Sequence, residues 1–182
     1  DLARSRGLGD VYKRQEQGAT HAADGYARAC NKPGVVLVTS GPGITNCVTG
    51  IATAHMDSIP MIVISGQVSR QYVGSDAFQE ADATGITRPI CKHNFLINDR
   101  ESIADTFRKA FIIATTGRPG PVIIDIPKDL TDPSVKIDFE YKRNIKIRSY
   151  KIKTNEDENK IEEAAKILCS AKKPMILSLI HI

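Results

Sequence analysis

Glu16 stands at the start of the stretch EQGATHAADGYAR, residues 16–28, where small residues recur at helical spacing. Ala19, Ala22, Ala23, Tyr26 and Ala27 fall three and four apart, which predicts a helix with one small apolar face that can pack closely. A carboxylate in the first turn of such a helix has two chemical uses. It complements the positive end of the helix dipole, or it is held partly buried to handle a proton. A second group of chemistry-bearing residues follows at TSGPGITN, residues 39–46. Gly41 and Gly43 allow backbone angles and close approaches that a side chain would block. The N–H groups of a helix starting there could hold an anion, or the glycines could serve only a tight strand-to-helix turn. Their spacing fits neither GxGxxG nor GxxxxGK[ST], so a nucleotide fingerprint is not supported. A third group is GSDAFQE, residues 74–80, a polar loop with a short helix in which Phe78 either belongs to the core or lines a cleft.

The elements that must position these groups alternate. VVLV at 35–38, MIVI at 61–64 and VIIDI at 122–126 are buried parallel strands by their β-branched composition. A helix is predicted over 45–56, ended by Asp57, Ser58 and Pro60; residues 90–97 read as a further strand. Residues 101–116 form an amphipathic helix with Ile103, Ala104, Phe107, Phe111 and Ala114 on one face. Strand and helix alternation of this kind predicts an α/β fold: a parallel sheet flanked by helices. Ligands of such sheets bind beyond the carboxyl ends of the strands, where the loops 40–46, 65–80 and 127–129 lie. Residues 134–155, with alternating Lys and Ile, read as an extended surface linker. Asn155 to Glu158 then cap a new helix, and a strand begins near Met175, the start of a second α/β domain.

Composition narrows the function classes. The 182 residues are 41% apolar and 25% charged, ordinary for a globular protein. No apolar run is long enough for a membrane helix, and no secretory leader is seen, so a cytoplasmic protein is expected. The net charge of +4, without a basic patch interleaved with aromatics, makes no case for nucleic acid. Cys30, Cys47, Cys91 and Cys169 are widely spaced, form no CxxC pair and read as reduced thiols rather than metal ligands. Residues 1–15 lack periodicity, and GDVYKRQ resembles translated sequencing-adapter DNA, as do residues 178–182. Both ends are therefore expected to be non-native and the chain to be a fragment.

With EQGATHAADGYAR, TSGPGITN, GSDAFQEADATGITRPICKHNFL and TGRPGPVIIDIPKDL in register, the chain resembles the thiamine-diphosphate enzymes, and among them the acetolactate synthase (acetohydroxyacid synthase) catalytic-subunit family. EQGA and GPG point to the superfamily; DAFQE with ITRP and KHNFL point to the narrower family. The resemblance implies that residues 16–133 are most of a pyrimidine-binding domain lacking its first strand, and that residues 156–177 open the central domain. It implies that Glu16 hydrogen-bonds the cofactor's aminopyrimidine and so promotes loss of the thiazolium proton. It implies thiamine diphosphate as cofactor, with Mg2+ held in a domain absent here, and FAD. Pyruvate and a second 2-keto acid are the implied substrates. A homodimer or tetramer with a possible regulatory subunit is the implied assembly.

By the same matching, Gly41, Asn46 and Gln79 are cofactor-side contacts, Phe78 walls the substrate channel, and Lys92, Lys128 and Ser69 lie near its mouth, Ser69 where many relatives have proline. Arg118 matches an FAD-contacting arginine, the alternative being a helix C-terminal cap. Gln15 stands where relatives carry histidine. Another thiamine-diphosphate decarboxylase, oxidase or glyoxylate carboligase is the alternative function, and the 182 residues alone are expected to be inactive.

Overall fold

The three β-branched runs become neighbours in one four-stranded, all-parallel sheet of order β1-β2-β4-β3. The strands are β1 (Gly34–Val38), β2 (Met61–Gln67), β3 (His93–Leu96) and β4 (Pro121–Pro127). The structure is a computed structural model and describes residues 15–135, 145, 147, 150, 157–175 and 177. The expected parallel sheet flanked by helices is thus present.

Helix placement follows from strand order. The step from β1 to β2 runs one way across the sheet and the step from β3 to β4 runs the other way. Right-handed crossovers therefore put the connecting helices on opposite faces. Helices α2 (Pro42–Asn46) and α3 (Val48–Met56) lie on one face, joined there by α1 (Gln15–Cys30) and α4 (Ala83–Thr87). Ala23, Ile44, Ile51, Ala54 and Ala83 pack there against Val36, Val38, Met61, Val63 and Ile123. Helix α5 (Ser102–Thr115) covers the other face with Ala110, Ile113 and Ala114 on Ile62, Val122 and Ile124. Strands β2 and β4 are consequently buried on both faces. Edge strand β1 alternates instead, with Val35 and Leu37 exposed on the α5 side.

Several expectations need correction. The helix over 45–56 is two helices broken at Cys47. Strand β2 does not stop at Ile64: Ser65, Gly66 and Gln67 stay in register with Asp125, Ile126 and Pro127. The face of α1 is rotated from the one the alanines suggest. Thr20, Ala23, Asp24 and Ala27 are buried, while Ala19, Ala22 and Tyr26 face outward. Thr20 turns inward because its hydroxyl donates to the carbonyls of Glu16 (3.1 Å) and Gln17 (2.8 Å), and Asp24 because it pairs with Arg28 at 3.0 Å. Close packing still holds at the strand end: a Cβ on Gly34 would meet the Ala23 carbonyl oxygen at 2.3 Å, so α1 lies directly on β1. On α5, Phe111 is exposed, and the covering stripe is Ile103, Phe107, Ala110, Ile113 and Ala114. The short helix expected within 74–80 is displaced to its flanks, as 3-10 turns Arg70–Tyr72 and Arg88–Ile90 and helix α4.

Most of the expected linker lies outside the described residues. Ile147 and Tyr150 depart from an exposed linker, since Ile147 packs against the α5 side of the core and Tyr150 bonds to Thr116 and Lys92. The chain divides into two compact units, residues 1–150 and 151–182. In the second, α6 (Glu158–Ser170) is capped by Asp157, whose carboxylate accepts from the Lys160 N–H at 3.2 Å. Met175 and Leu177 belong to no strand. No described helix is long and apolar enough to cross a membrane.

Candidate functional site

At the carboxyl end of β1 the chain turns through Gly41 into α2. Gly41 has φ +59°, and a Cβ on it would meet the carbonyl oxygen of Gln79 at 2.6 Å. The glycine turn and the loop after β2 therefore touch backbone to backbone. Gln79 is itself left-handed, at φ +61°. Helix α2 then spans from this contact to Asn46, whose amide Nδ2 donates to the Glu16 carboxylate at 3.4 Å. One short helix thus joins the Gly41–Gln79 contact to the acid that opens α1. Glu16 is half-buried, and Asn46 and Gln79 are exposed side chains beside it on this path. Cys47 lies below: its thiol donates to the Gly43 carbonyl at 3.3 Å, and burial, with the charge of Glu16 added, pushes it up to about 12. It is a packing residue and not a nucleophile.

The loop that carries Phe78 and Gln79 is built on Glu80. Its carboxylate accepts from the N–H groups of Gly74 and Ala77, which hold it below the usual carboxylate range. This folds residues 74–80 back on themselves and leaves Phe78 90% exposed, on the surface rather than in the core.

The remaining candidates divide by position. Lys128 opens the 3-10 turn Lys128–Thr131 after β4 and lines a cleft of about 270 Å³ with Leu37, Ile64 and Thr131, on the α5 face. Ser69 lines a cleft of about 390 Å³ with Arg70, Gln71 and Asp129. There Arg70 holds Asp129 at 2.7 Å, tying the loop after β2 to the turn after β4. Lys92 and Arg118 stand at the opposite, amino end of the strands. Lys92 donates to the carbonyls of Ile113 and Thr116 and caps α5. Arg118 donates to Ser58 at 2.8 Å and to the carbonyls of His55 and Met56, capping α3. The structure gathers Glu16, Gly41, Asn46, Phe78 and Gln79 along one path and does not bring Lys92 or Arg118 to it.

A carboxylate with remaining acceptor capacity beside an exposed amide suits a flat ring bearing both donors and acceptors. Fitting this donor set, a family profile for the thiamine pyrophosphate enzyme N-terminal TPP binding domain matches residues 1–86. Over 170 residues, 93% of the chain, it is 57% identical to the acetolactate synthase large subunit of Buchnera aphidicola from Schizaphis graminum. The first 86 residues, nearly half of the chain, are thus similar to the N-terminal domain of the thiamine pyrophosphate enzymes. The large subunit of Haemophilus influenzae is 52% identical, and the isozyme 3 large subunit of Escherichia coli 50%, over the same length. The chain spans about 30% of the length of each of these three acetolactate synthase large subunits.

Sequence reasoning passed over one group near this site. Asp125, 2% exposed in β4, accepts from Ser65 Oγ at 2.6 Å and from Gln67 Nε2 at 3.0 Å. The signal was present, a lone acid inside PVIIDIP. Burial pushes its carboxyl up to about 6, against the pull of Ser65 and Gln67 and with the charge of Asp82 adding. A carboxyl harder to ionise in the fold than in the unfolded chain favours the fold below its unfolded value of 3.8. That advantage is lost as pH rises to about 6. The shift of roughly two units corresponds to about 3 kcal/mol. Asp125→Asn is expected to remove this loss and to raise stability at pH 7.5 by up to about 3 kcal/mol, with little change at pH 4. Urea denaturation at the two pH values checks it, and equal effects at both would contradict it.

Proposed function

We propose that this chain is part of an acetolactate synthase large subunit that decarboxylates pyruvate and joins the two-carbon unit to a second 2-keto acid, a step towards branched-chain amino acids. The observation that carries the reading is the Glu16–Asn46–Gly41–Gln79 path, within a stretch about half identical to such large subunits over 170 residues. Thiamine diphosphate, when bound, supplies a carbon nucleophile and a sink for the electron pair left behind when carbon dioxide departs. Glu16 would be the acceptor for its aminopyrimidine ring and would so favour the tautomer able to take up a proton. Asn46 orients the Glu16 carboxylate. The side-chain-free turn at Gly41 lets the Gln79 backbone pack against it, and Gln79 and Phe78 would flank the bound cofactor. Lys128 and Ser69 lie towards the channel mouth.

The further partners rest on the resemblance. Among the described residues no group of three acids, histidines or cysteines converges on a metal position, so Mg2+ is assigned to no residue here. FAD would meet Arg118 only through a guanidinium already anchored on α3. The proposal includes assembly of large subunits with each other, a small regulatory subunit and a cytoplasmic location.

A chimera tests the reading. This chain's aligned 170 residues replace their counterpart in the Escherichia coli isozyme 3 large subunit, and products are analysed after supplying pyruvate or glyoxylate. Acetolactate from pyruvate is expected within about tenfold of the parent rate. Acetaldehyde alone, or condensation of glyoxylate only, would favour a decarboxylase or glyoxylate carboligase and contradict the proposal.

A further inference from the structure

Asp125 and Gln67 have a use beyond filling the interior of a sheet. The Gln67 side chain is saturated. Its Nε2 donates one hydrogen to Asp125 at 3.0 Å and the other to the carbonyl of Ala81 at 2.9 Å, while its Oε1 accepts from the N–H of Val68 at 2.8 Å. This arrangement has one orientation only, because a flipped amide would aim an oxygen at two acceptors. Asp125 sets the orientation by offering Oδ2, with Oδ1 satisfied by Ser65. The chain of bonds runs from the centre of the sheet outward to Ala81. Ala81 directly follows Phe78, Gln79 and Glu80, the segment whose backbone abuts Gly41. On its other side Asp82 caps α4 by accepting from the Gly85 N–H at 2.8 Å.

The bland alternative is a satisfied polar cluster that matters only for folding. It explains less. Strands β2 and β4 are paired by backbone from Met61↔Pro121 to Gln67↔Pro127, so the sheet does not need these side chains to be polar. Replacing a buried polar set by apolar residues of similar size is often neutral or stabilising. What an apolar set cannot do is hold the Ala81 carbonyl. We propose that Asp125 and Gln67 are positioning residues: a buried carboxylate–amide relay that fixes Ala81 and thereby sets where Phe78 and Gln79 stand against Gly41. The role assigned to those two side chains rests on the functional reading above; the relay itself does not.

Amide hydrogen exchange on the full 182-residue chain tests it without cofactor. The reporters are the hydrogen-bonded N–H groups of Gly74, Ala77 and Glu80 in the loop, with α5 and β1 as controls. Gln67→Leu and Asp125→Val are expected to speed loop exchange tenfold or more and to leave the controls unchanged. Asp125→Asn is expected to stay within about threefold of the parent: its oxygen still accepts from Gln67, and its amide donates to the Ser65 hydroxyl, which can accept as well as donate. Unchanged loop exchange in Gln67→Leu overturns the relay. So does loss of protection across the controls, which marks a purely folding role, and so does an Asp125→Asn effect as large as that of Asp125→Val. A chimera that makes no acetolactate would overturn the functional reading and leave the relay standing; unchanged exchange would do the reverse.

Discussion

Glu16→Gln in the active chimera is expected to lower acetolactate formation by about 10²–10⁴-fold, the usual contribution of a positioned proton-handling group. The corresponding barrier increase is about 3–5 kcal/mol. Stability should hardly change, because the glutamine carbonyl can still accept from Asn46, whose 3.4 Å bond is the Glu16 side chain's contact with α2. Glu16 is half-buried, and its bond to Asn46 is to a neutral amide rather than to a cation. A side chain that served only the helix dipole would behave in the opposite way. Its loss would cost about 0.3–1 kcal/mol of stability at most and leave turnover intact. The pair of measurements, urea midpoint and acetolactate rate, therefore separates the two uses that the first turn of α1 allows.

Gly41→Val is the second large effect, and it falls on folding and site together. Two costs add. A β-branched residue at φ +59° pays roughly 1–3 kcal/mol of backbone strain. Its Cβ would also stand 2.6 Å from a backbone oxygen of residue 79, which a rotamer change cannot relieve. Overpacking of that kind costs typically about 1–3 kcal/mol. A total of about 3 kcal/mol is expected in urea denaturation of this chain. The displaced Gln79 backbone should weaken thiamine diphosphate saturation of the chimera at least tenfold. A stability loss below about 0.5 kcal/mol would show that the two loops do not meet as described.

The sheet was legible where strand residues are apolar on both faces, because burial between two helical layers demands it. VVLV, MIVI and VIIDI each sit inside an observed strand. It was misread where polarity inside the fold is satisfied by specific partners. Ser65 and Gln67 look like loop residues, yet backbone pairing keeps them in β2, and Asp125 on the neighbouring strand accepts a hydrogen bond from each side chain. Thr20 and Asp24 lie outside the small apolar face that the sequence suggests for α1, yet both are buried. The apolar periodicity set the phase of α1 wrongly, because the alanines at 19, 22, 23 and 27 centre on a face offset from the buried one, which Thr20 and Asp24 complete. At the site, the residue types at 16, 41, 46 and 79 were visible in the motifs. Their juxtaposition was not, since Asn46 and Glu16 meet across 30 residues. Arg118 was readable as a helix cap, but the helix it caps is α3, more than 60 residues earlier, rather than the one just before it.

The claim on which the account depends is that Glu16 promotes proton loss from a bound thiamine cofactor. The most direct test is the rate at which the bound cofactor's thiazolium proton exchanges into D2O in the chimera, without substrate, for Glu16 and for Glu16→Gln. The account predicts a fall of at least about a hundredfold with cofactor occupancy matched. Exchange within about threefold in the two proteins would contradict it and return Glu16 to the helix dipole.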